Sequence, residues 1–185
     1  TGFAEYKSAD QRYEEAKNLF QKKEWAKAKN RFLALQNQLP NSVEAKRARF
    51  LLALIHAEQE KPEEAIKLLA PLIKNYDDVE DYIRFHLIQA QAQSGQYKKA
   101  RDNAVAFLKL IPNTLLYPKV QLILAEAQIR LGKKEAGMKT LEKTILTTIK
   151  DFRYQKFREF LPEMTFKLAE IQEELGKKTE AYLNF

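Results

Sequence analysis

Apolar residues in this chain fall three or four apart in paired stretches, each pair separated by a short polar turn, which is the pattern of helices that bury one stripe. In the first pair, Tyr13, Ala16, Leu19 and Phe20 form one stripe and Trp25, Ala28, Phe32, Leu33 and Leu35 the next, with the break at Lys23-Glu24. Leu39-Pro40-Asn41-Ser42 ends the pair, since Pro cannot continue a helix interior and Asn or Ser caps the helix that follows. The second pair carries Leu51, Leu52, Leu54 and Ile55, then Ala65, Ile66, Leu68, Leu69, Leu72 and Ile73. Pro62 suits the first turn of its second arm, whereas Pro71 lies inside the apolar pattern and is expected to kink or shorten that helix.

The third pair uses Tyr82, Phe85 and Leu87 to Ala92, a Ser94-Gly95 turn, then Tyr97, Ala100, Ala104, Phe107, Leu108 and Ile111 before Pro112-Asn113. The fourth begins near Pro118 with Leu122, Leu124, Ala125, Ile129 and Leu131, turns at Gly132, and continues through Met138, Leu141, Ile145, Leu146 and Ile149. A fifth starts with Phe166, Leu168, Ala169, Ile171 and Leu175, turns at Gly176 and stops soon after Ala181.

One small residue recurs in the second arm of every pair: Ala28, Ala65, Ala100, Gly137 and Ala181, at intervals of 37, 35, 37 and 44 residues. Two helices approach closely only where one lacks a large side chain, so a small residue at this period marks stacked helical hairpins. The 44-residue interval contains Asp151 to Pro162, for which an extended or added helix is the economical explanation. Gly in the slot lowers helix propensity by about 1 kcal/mol relative to Ala, which makes the fourth hairpin the expected soft point. The fold class is therefore all-α, with residues 1–185 read as a single domain of about five hairpins, the last incomplete. The chain starts Thr1-Gly2 and ends at Phe185 about a turn into an apparent helix, so it reads as a piece of a longer chain.

Several positions resemble the tetratricopeptide repeat. Leu87, Gly95, Tyr97, Ala100, Phe107, Leu108 and Pro112 follow much of its pattern, as do Ala16, Trp25, Ala28, Phe32 and Pro40, Leu52, Ala53 and Ala65, and Leu124, Ala125, Gly132 and Leu141. The resemblance spans nearly the whole chain and implies a right-handed superhelix of tetratricopeptide-like hairpins that binds a protein or peptide. Narrower likenesses, in Gln38 to Ala45 and in Asp81 to Leu87 followed by Gly95 to Ala100, are to bacterial envelope members. Those include the superhelical region of soluble lytic transglycosylases, outer-membrane-assembly lipoproteins and periplasmic division-coordinating proteins. They imply a periplasmic or envelope location near peptidoglycan and cell-wall-associated machinery, with a cytoplasmic regulator as the alternative. The Lys/Arg and Asn clamp of chaperone-tail binders is missing: its positions hold Tyr13 and Lys17, Phe50 and Leu54, and Phe85 and Gln89.

In the register of the family, the inner-face positions are Tyr13, Lys17 and Phe20, then Arg47, Phe50 and Leu54, Tyr82, Phe85, Gln89 and Gln93, and Leu122, Glu126 and Arg130. Aromatics flanked by amides and charges suit a peptide or helix laid in a groove, although Phe50 and Phe85 serve equally well as packing between neighbouring first arms.

Charge adds a second candidate surface. The chain holds 32 Lys and Arg against 25 Asp and Glu, a formal +7, and residues 130–158 contain nine of the cations and three of the acids. Lys139, Lys143, Lys150, Arg153, Lys156 and Arg158 in that stretch form a candidate cationic surface for an anionic partner, or a solvated helix exterior. Phe152, Tyr154, Phe157 and Phe160 interleave with its cations, a pattern open to single-stranded nucleic acid or to an amphipathic helix with buried rings. Nucleic acid is the weaker reading, because no recognised nucleic-acid fold accompanies it.

Catalytic chemistry finds little footing. There is no Cys, which excludes disulfides and thiolate catalysis, and His56 and His86 stand alone in different hairpins. No nucleophile and base pair, Gly-rich phosphate loop or zinc signature is present, so no cofactor, metal or enzymatic activity is assigned. Glu170 with Glu173 or Glu174 is a spacing common on wet helices. No apolar run reaches the roughly 18 to 20 residues that span a bilayer. The expected function is a non-catalytic protein-interaction scaffold, with a positioning domain of a peptidoglycan lytic transglycosylase as the alternative.

Overall fold

Ser8 starts the first helix with a capping box: the Gln11 N–H donates to Ser8 Oγ at 3.2 Å and the Ser8 N–H to Gln11 Oε1 at 2.9 Å. Nine α-helices follow among the described residues, which are 7–74, 79–177 and 181 of this computed structural model. They are α1 (Ala9–Gln21), α2 (Trp25–Gln38), α3 (Val43–Glu58), α4 (Pro62–Leu69), α5 (Glu80–Gln93), α6 (Tyr97–Leu110), α7 (Tyr117–Arg130), α8 (Lys134–Lys150) and α9 (Leu161–Glu174). Two 3₁₀ stretches, Ala70–Lys74 and Phe152–Phe160, complete the described elements, and no strand occurs among them. The all-α helical-hairpin class expected from the periodicity is the class observed.

Contacts divide the chain within α5, between Ala90 and Gln91, into two compact units. In the first unit, Tyr13 and Ala16 of α1 meet Ala28, Phe32 and Leu35 of α2 and Ala48, Leu52 and Ile55 of α3 in one buried cluster. A second cluster joins Ala53 of α3 to Ala65 and Leu69 of α4 and to Ile83, Leu87 and Ala90 of α5. In the second unit, Ala125 of α7, Met138, Leu141 and Ile145 of α8, and Met164, Leu168 and Ile171 of α9 form another. Each helix thus buries one stripe against the next, and each fully buried Leu, Ile or Phe is worth about 1.5–3 kcal/mol of transfer free energy.

The small-residue slot is where the arms touch. Ala28, Ala65 and Ala100 are wholly buried, and Gly137 and Ala181 are buried as well. Five residues before each slot sits a residue in the left-handed region: Lys23 (φ 58°), Glu60 (φ 56°), Gly95 (φ 75°), Gly132 (φ 76°) and Gly176 (φ 76°). All five first arms end in the same paired hydrogen bonds. In the first, the Lys23 N–H donates to Phe20 O and the Glu24 N–H to Leu19 O, both at 2.9 Å. In the last, Gly176 donates to Glu173 O and Lys177 to Gln172 O. This Schellman geometry satisfies the orphan carbonyls of the helix end and needs positive φ at its penultimate position. A side chain there costs about 1 kcal/mol relative to Gly. Lys23→Gly and Glu60→Gly are therefore each expected to raise stability by about 1 kcal/mol, read as an increase in urea midpoint with unchanged slope.

Pro71 shortens α4, as the pattern led one to expect. Without an N–H it cannot donate to the carbonyl four residues back, and the α-helix stops after eight residues, giving way to the 3₁₀ stretch Ala70–Lys74. Pro62 and Pro118 both occupy first-turn positions.

Two expectations need correction in α8. Leu146 and Ile149, placed on its apolar stripe, are 54% and 48% exposed. The buried face instead runs Leu141, Thr144, Ile145 and Thr148, spaced as a helix stripe requires. The threonine hydroxyls tolerate burial because each donates within its own helix, Thr144 to Thr140 O at 2.6 Å and Thr148 to Thr144 O at 2.8 Å. Gly137 also differs from expectation: a Cβ there would lie 2.5 Å from Ile129 Cγ1 and 3.0 Å from Ala125 O, so the slot is tight rather than soft.

The long interval holds a 3₁₀ stretch. With three residues per turn, Tyr154, Phe157 and Phe160 align on one side, and the first two are buried. Tyr154 stacks on Tyr117 with centroids 5.7 Å apart, and its hydroxyl donates to Thr114 O at 3.4 Å. Lys119 of α7 lies over the rings of Phe157 and Phe160 at 5.6 and 5.3 Å. The added segment is thereby bound to the loop and first turns of α7.

Candidate functional site

The first arms of the first unit stand side by side. Tyr13 of α1 and Leu52 of α3 share a core cluster, and Phe50 of α3 packs against the cluster shared with α5. His86 lies between two rings, 5.8 Å from Phe50 and 5.0 Å from Phe85. Arg47 and Phe50, one turn apart on α3, are half-buried, as is Gln89 on α5, while Tyr82, one turn before His86, is 50% exposed. Phe85 is buried.

At the start of this row Tyr13 is buried against Phe32, with centroids 6.1 Å apart, so its ring serves chiefly as core. Lys17 reaches both carboxylate oxygens of Glu14 at 3.0 Å and stands 5.9 Å from the Tyr13 ring. Its ammonium is already engaged. The remaining groove candidates fall in the second unit: Gln93 exposed at the end of α5, Glu126 half-buried on α7, and Arg130 exposed at the C-terminal end of α7.

The six cations of the candidate surface separate into two sets. Arg153 grips Asp151 through Nε and Nη2, the latter 2.6 Å from Oδ2, and this hydrogen-bonded pair lowers the pKa of the carboxyl. Arg158 donates to Ile149 O at 2.7 Å, satisfying a carbonyl in the last turn of α8. Lys156 lies 5.2 Å from the Phe157 ring centroid. Lys139, Lys143 and Lys150 instead point outward along α8 and line an open depression of about 840 Å³, together with Glu142, Leu146, Thr147, Asp151 and Phe152. Of the four aromatics interleaved with these cations, only Phe152 is fully presented to solvent, at 81%. A stacking surface for single-stranded nucleic acid needs several free rings, and burial of Tyr154 and Phe157 removes two of the four.

The histidines are packing residues with one polar anomaly. His56 is half-buried; its Nδ1 is enclosed without a hydrogen-bond partner, and burial followed by the nearby Lys29 charge lowers its pKa below the ordinary 6.5. Among the described residues no three His, Asp or Glu side chains gather where they could hold a metal ion. None of the described helices is long and apolar enough to cross a membrane.

Residues 47–78, from α3 past the 3₁₀ stretch that follows α4, match the family model of the tetratricopeptide repeat. The chain also superposes on solved repeat structures over nearly its whole length. The fold is that of the tetratricopeptide-repeat superfamily. A MamA RS-1 double mutant is similar with a TM-score of 0.79 at 11% identity, over 96% of this chain and 90% of that one. Tetratricopeptide-like repeats of a kinesin light chain from Podosopora anserina give 0.70 at 15%, over 94% and 89%. PilF of Pseudomonas aeruginosa gives 0.67 at 14%, over 95% and 72%. No curated protein matches the chain in sequence. Tetratricopeptide-repeat proteins are typically non-catalytic scaffolds that bind proteins or peptides, and the repeat architecture places this chain with them at that level.

The tetratricopeptide register located the first-arm residues correctly by helix face but not by depth. Tyr13 and Phe85 lie inward while Tyr82, on the same helix as Phe85, lies out. The apolar part of the α8 surface escaped sequence reading altogether, although the phase of Leu141, Ile145 and Thr148 leaves Leu146 and Ile149 about 100° or more off the buried stripe.

Proposed function

We propose that the chain is a protein-interaction scaffold of a bacterial cell envelope that binds a peptide or helix along the first arms α1, α3 and α5. The observation that carries this reading is the row of Arg47, Phe50, Tyr82 and Gln89, where a rigid aromatic contact between Phe50 and His86 supports partly exposed polar and aromatic side chains. Such a mixture, with ring positions fixed by packing, loses little side-chain entropy on binding. The envelope location is supported by the phrases Gln38 to Ala45 and Asp81 to Leu87, which resemble envelope members of the superfamily.

Site-specific photocrosslinking tests both parts. A photoreactive phenylalanine analogue at Tyr82 or Gln89 is expected to give the same discrete adducts in a bacterial host, absent when it replaces Lys98 on α6. The adducted proteins are expected to be periplasmic or membrane-associated. Indiscriminate adducts from all three positions would reject the first-arm surface, and cytoplasmic partners would reject the location alone.

A further inference from the structure

Most helix surfaces of this molecule neutralise their own charge. Lys17 pairs with Glu14, Lys27 with Glu24, Lys67 with Glu64, Arg84 with Glu80 and Lys167 with Glu163, each on the same helix or at its cap. The outward side of α8 does not: Lys139, Lys143 and Lys150 form no ion pair with any described residue. Asp151, the acid nearest to Lys150 in sequence, is engaged by Arg153. These lysines border apolar side chains that are equally without cover, Leu146 at the middle of the depression and Phe152 at its end. Positions 139, 143, 146 and 150 recur at helical spacing and share one face. Unpaired cations around exposed apolar groups are complementary to one kind of surface, an acidic one with apolar anchors.

We infer that the α8 face is a docking site for an acidic peptide segment carrying bulky apolar side chains. The anchors pack between Leu146 and Phe152, and flanking carboxylates meet Lys139 and Lys143 on one side and Lys150 on the other. Lys139 to Lys150 spans about 16 Å of helix, room for roughly five extended residues or three helical turns of a partner. Nucleic acid fits less well, with one free ring to stack on. An anionic bilayer fits less well too, since the surface is concave and Glu142 lines it. This site is separate from the first-arm row and does not depend on it.

The test titrates the chain into a short fluorescein-labelled peptide in which glutamates flank a Leu-Phe pair. Its controls are the same peptide with alanines for that pair, and phosphatidylglycerol vesicles. Saturable binding of the Leu-Phe peptide is expected, weakened roughly tenfold by Lys143→Glu, by Phe152→Ser, or by raising salt from about 50 to 200 mM. Lys143→Gln and Phe152→Ala, with thermal midpoints measured for all four variants, separate binding from folding. No binding of the Leu-Phe peptide overturns the inference, as does equal binding of the alanine control or indifference to Phe152. Vesicle binding in place of peptide binding replaces it with a membrane role. Tyr82→Ala is expected to leave this affinity unchanged, so the two surfaces fail or stand separately.

Discussion

Gly137→Ala is expected to destabilise the protein by about 1–3 kcal/mol, although Ala is the better helix former by about 1 kcal/mol. The added Cβ meets Ile129 Cγ1 at 2.5 Å, Cδ1 at 3.2 Å and the Ala125 carbonyl at 3.0 Å. Ile is β-branched and holds one favoured rotamer in a helix, and the carbonyl belongs to the α7 backbone, so neither can retreat cheaply. Relief requires α7 and α8 to separate, which strains the hydrogen bond from Thr140 Oγ1 to Gln128 Oε1 at 2.8 Å that joins them. Urea denaturation reads the loss, and the partner substitution identifies its cause. In an Ile129→Ala background the cost of Gly137→Ala should shrink, leaving a coupling energy of about 1 kcal/mol or more. A higher midpoint for Gly137→Ala would show the slot to be loose and the steric account wrong.

The period of the fold was legible because its cause is steric and local. A small residue every repeat is the condition for two arms to touch, and Ala28, Ala65 and Ala100 satisfy it visibly. The turn slot was legible only in part. Gly95, Gly132 and Gly176 announce positive φ, but Lys23 and Glu60 take the same conformation at a cost of about 1 kcal/mol, small enough for packing to override. Depth was harder to read than face. Tyr82 and Phe85 are one turn apart on α5, and whether a ring ends in the core or at the rim depends on the neighbouring helix, which sequence spacing does not contain. The same limit applies to the cationic run. Its composition revealed the charge but not that Arg153 and Arg158 are occupied at the end of α8 while Lys139, Lys143 and Lys150 are left facing solvent. The aromatic interleaving did carry a hidden signal, since Tyr154, Phe157 and Phe160 repeat every third residue, the period of the 3₁₀ stretch they stabilise.

Tyr154→Ala is the second large effect expected, about 3–5 kcal/mol by analogy with truncation of a buried aromatic, whereas Tyr154→Phe should cost about 1 kcal/mol or less. The difference follows from what the side chain does. Its ring is buried and stacked on Tyr117, while its hydroxyl makes a single long hydrogen bond to Thr114 O at 3.4 Å. Because each repeat is stabilised by its neighbours, the loss should concentrate locally: amide protection falls across Phe152–Phe160 and the first turn of α9, while α1 to α4 keep theirs. Burial also raises the Tyr154 pKa above the ordinary 10.0. The neutral phenol is therefore favoured in the folded state, and that contribution is present below about pH 10 and lost as pH rises further. Tyr154→Phe should flatten this alkaline decline without changing stability near pH 7 by more than about 1 kcal/mol. Loosening the 3₁₀ stretch also frees Phe152 and the Asp151–Arg153 pair at the end of the α8 depression. Binding of the acidic Leu-Phe peptide should consequently weaken in Tyr154→Ala and persist in Tyr154→Phe. Equal weakening in both would locate the effect in the hydroxyl instead, and a uniform loss of amide protection over all nine helices would show that the segment is not the local clamp its contacts describe.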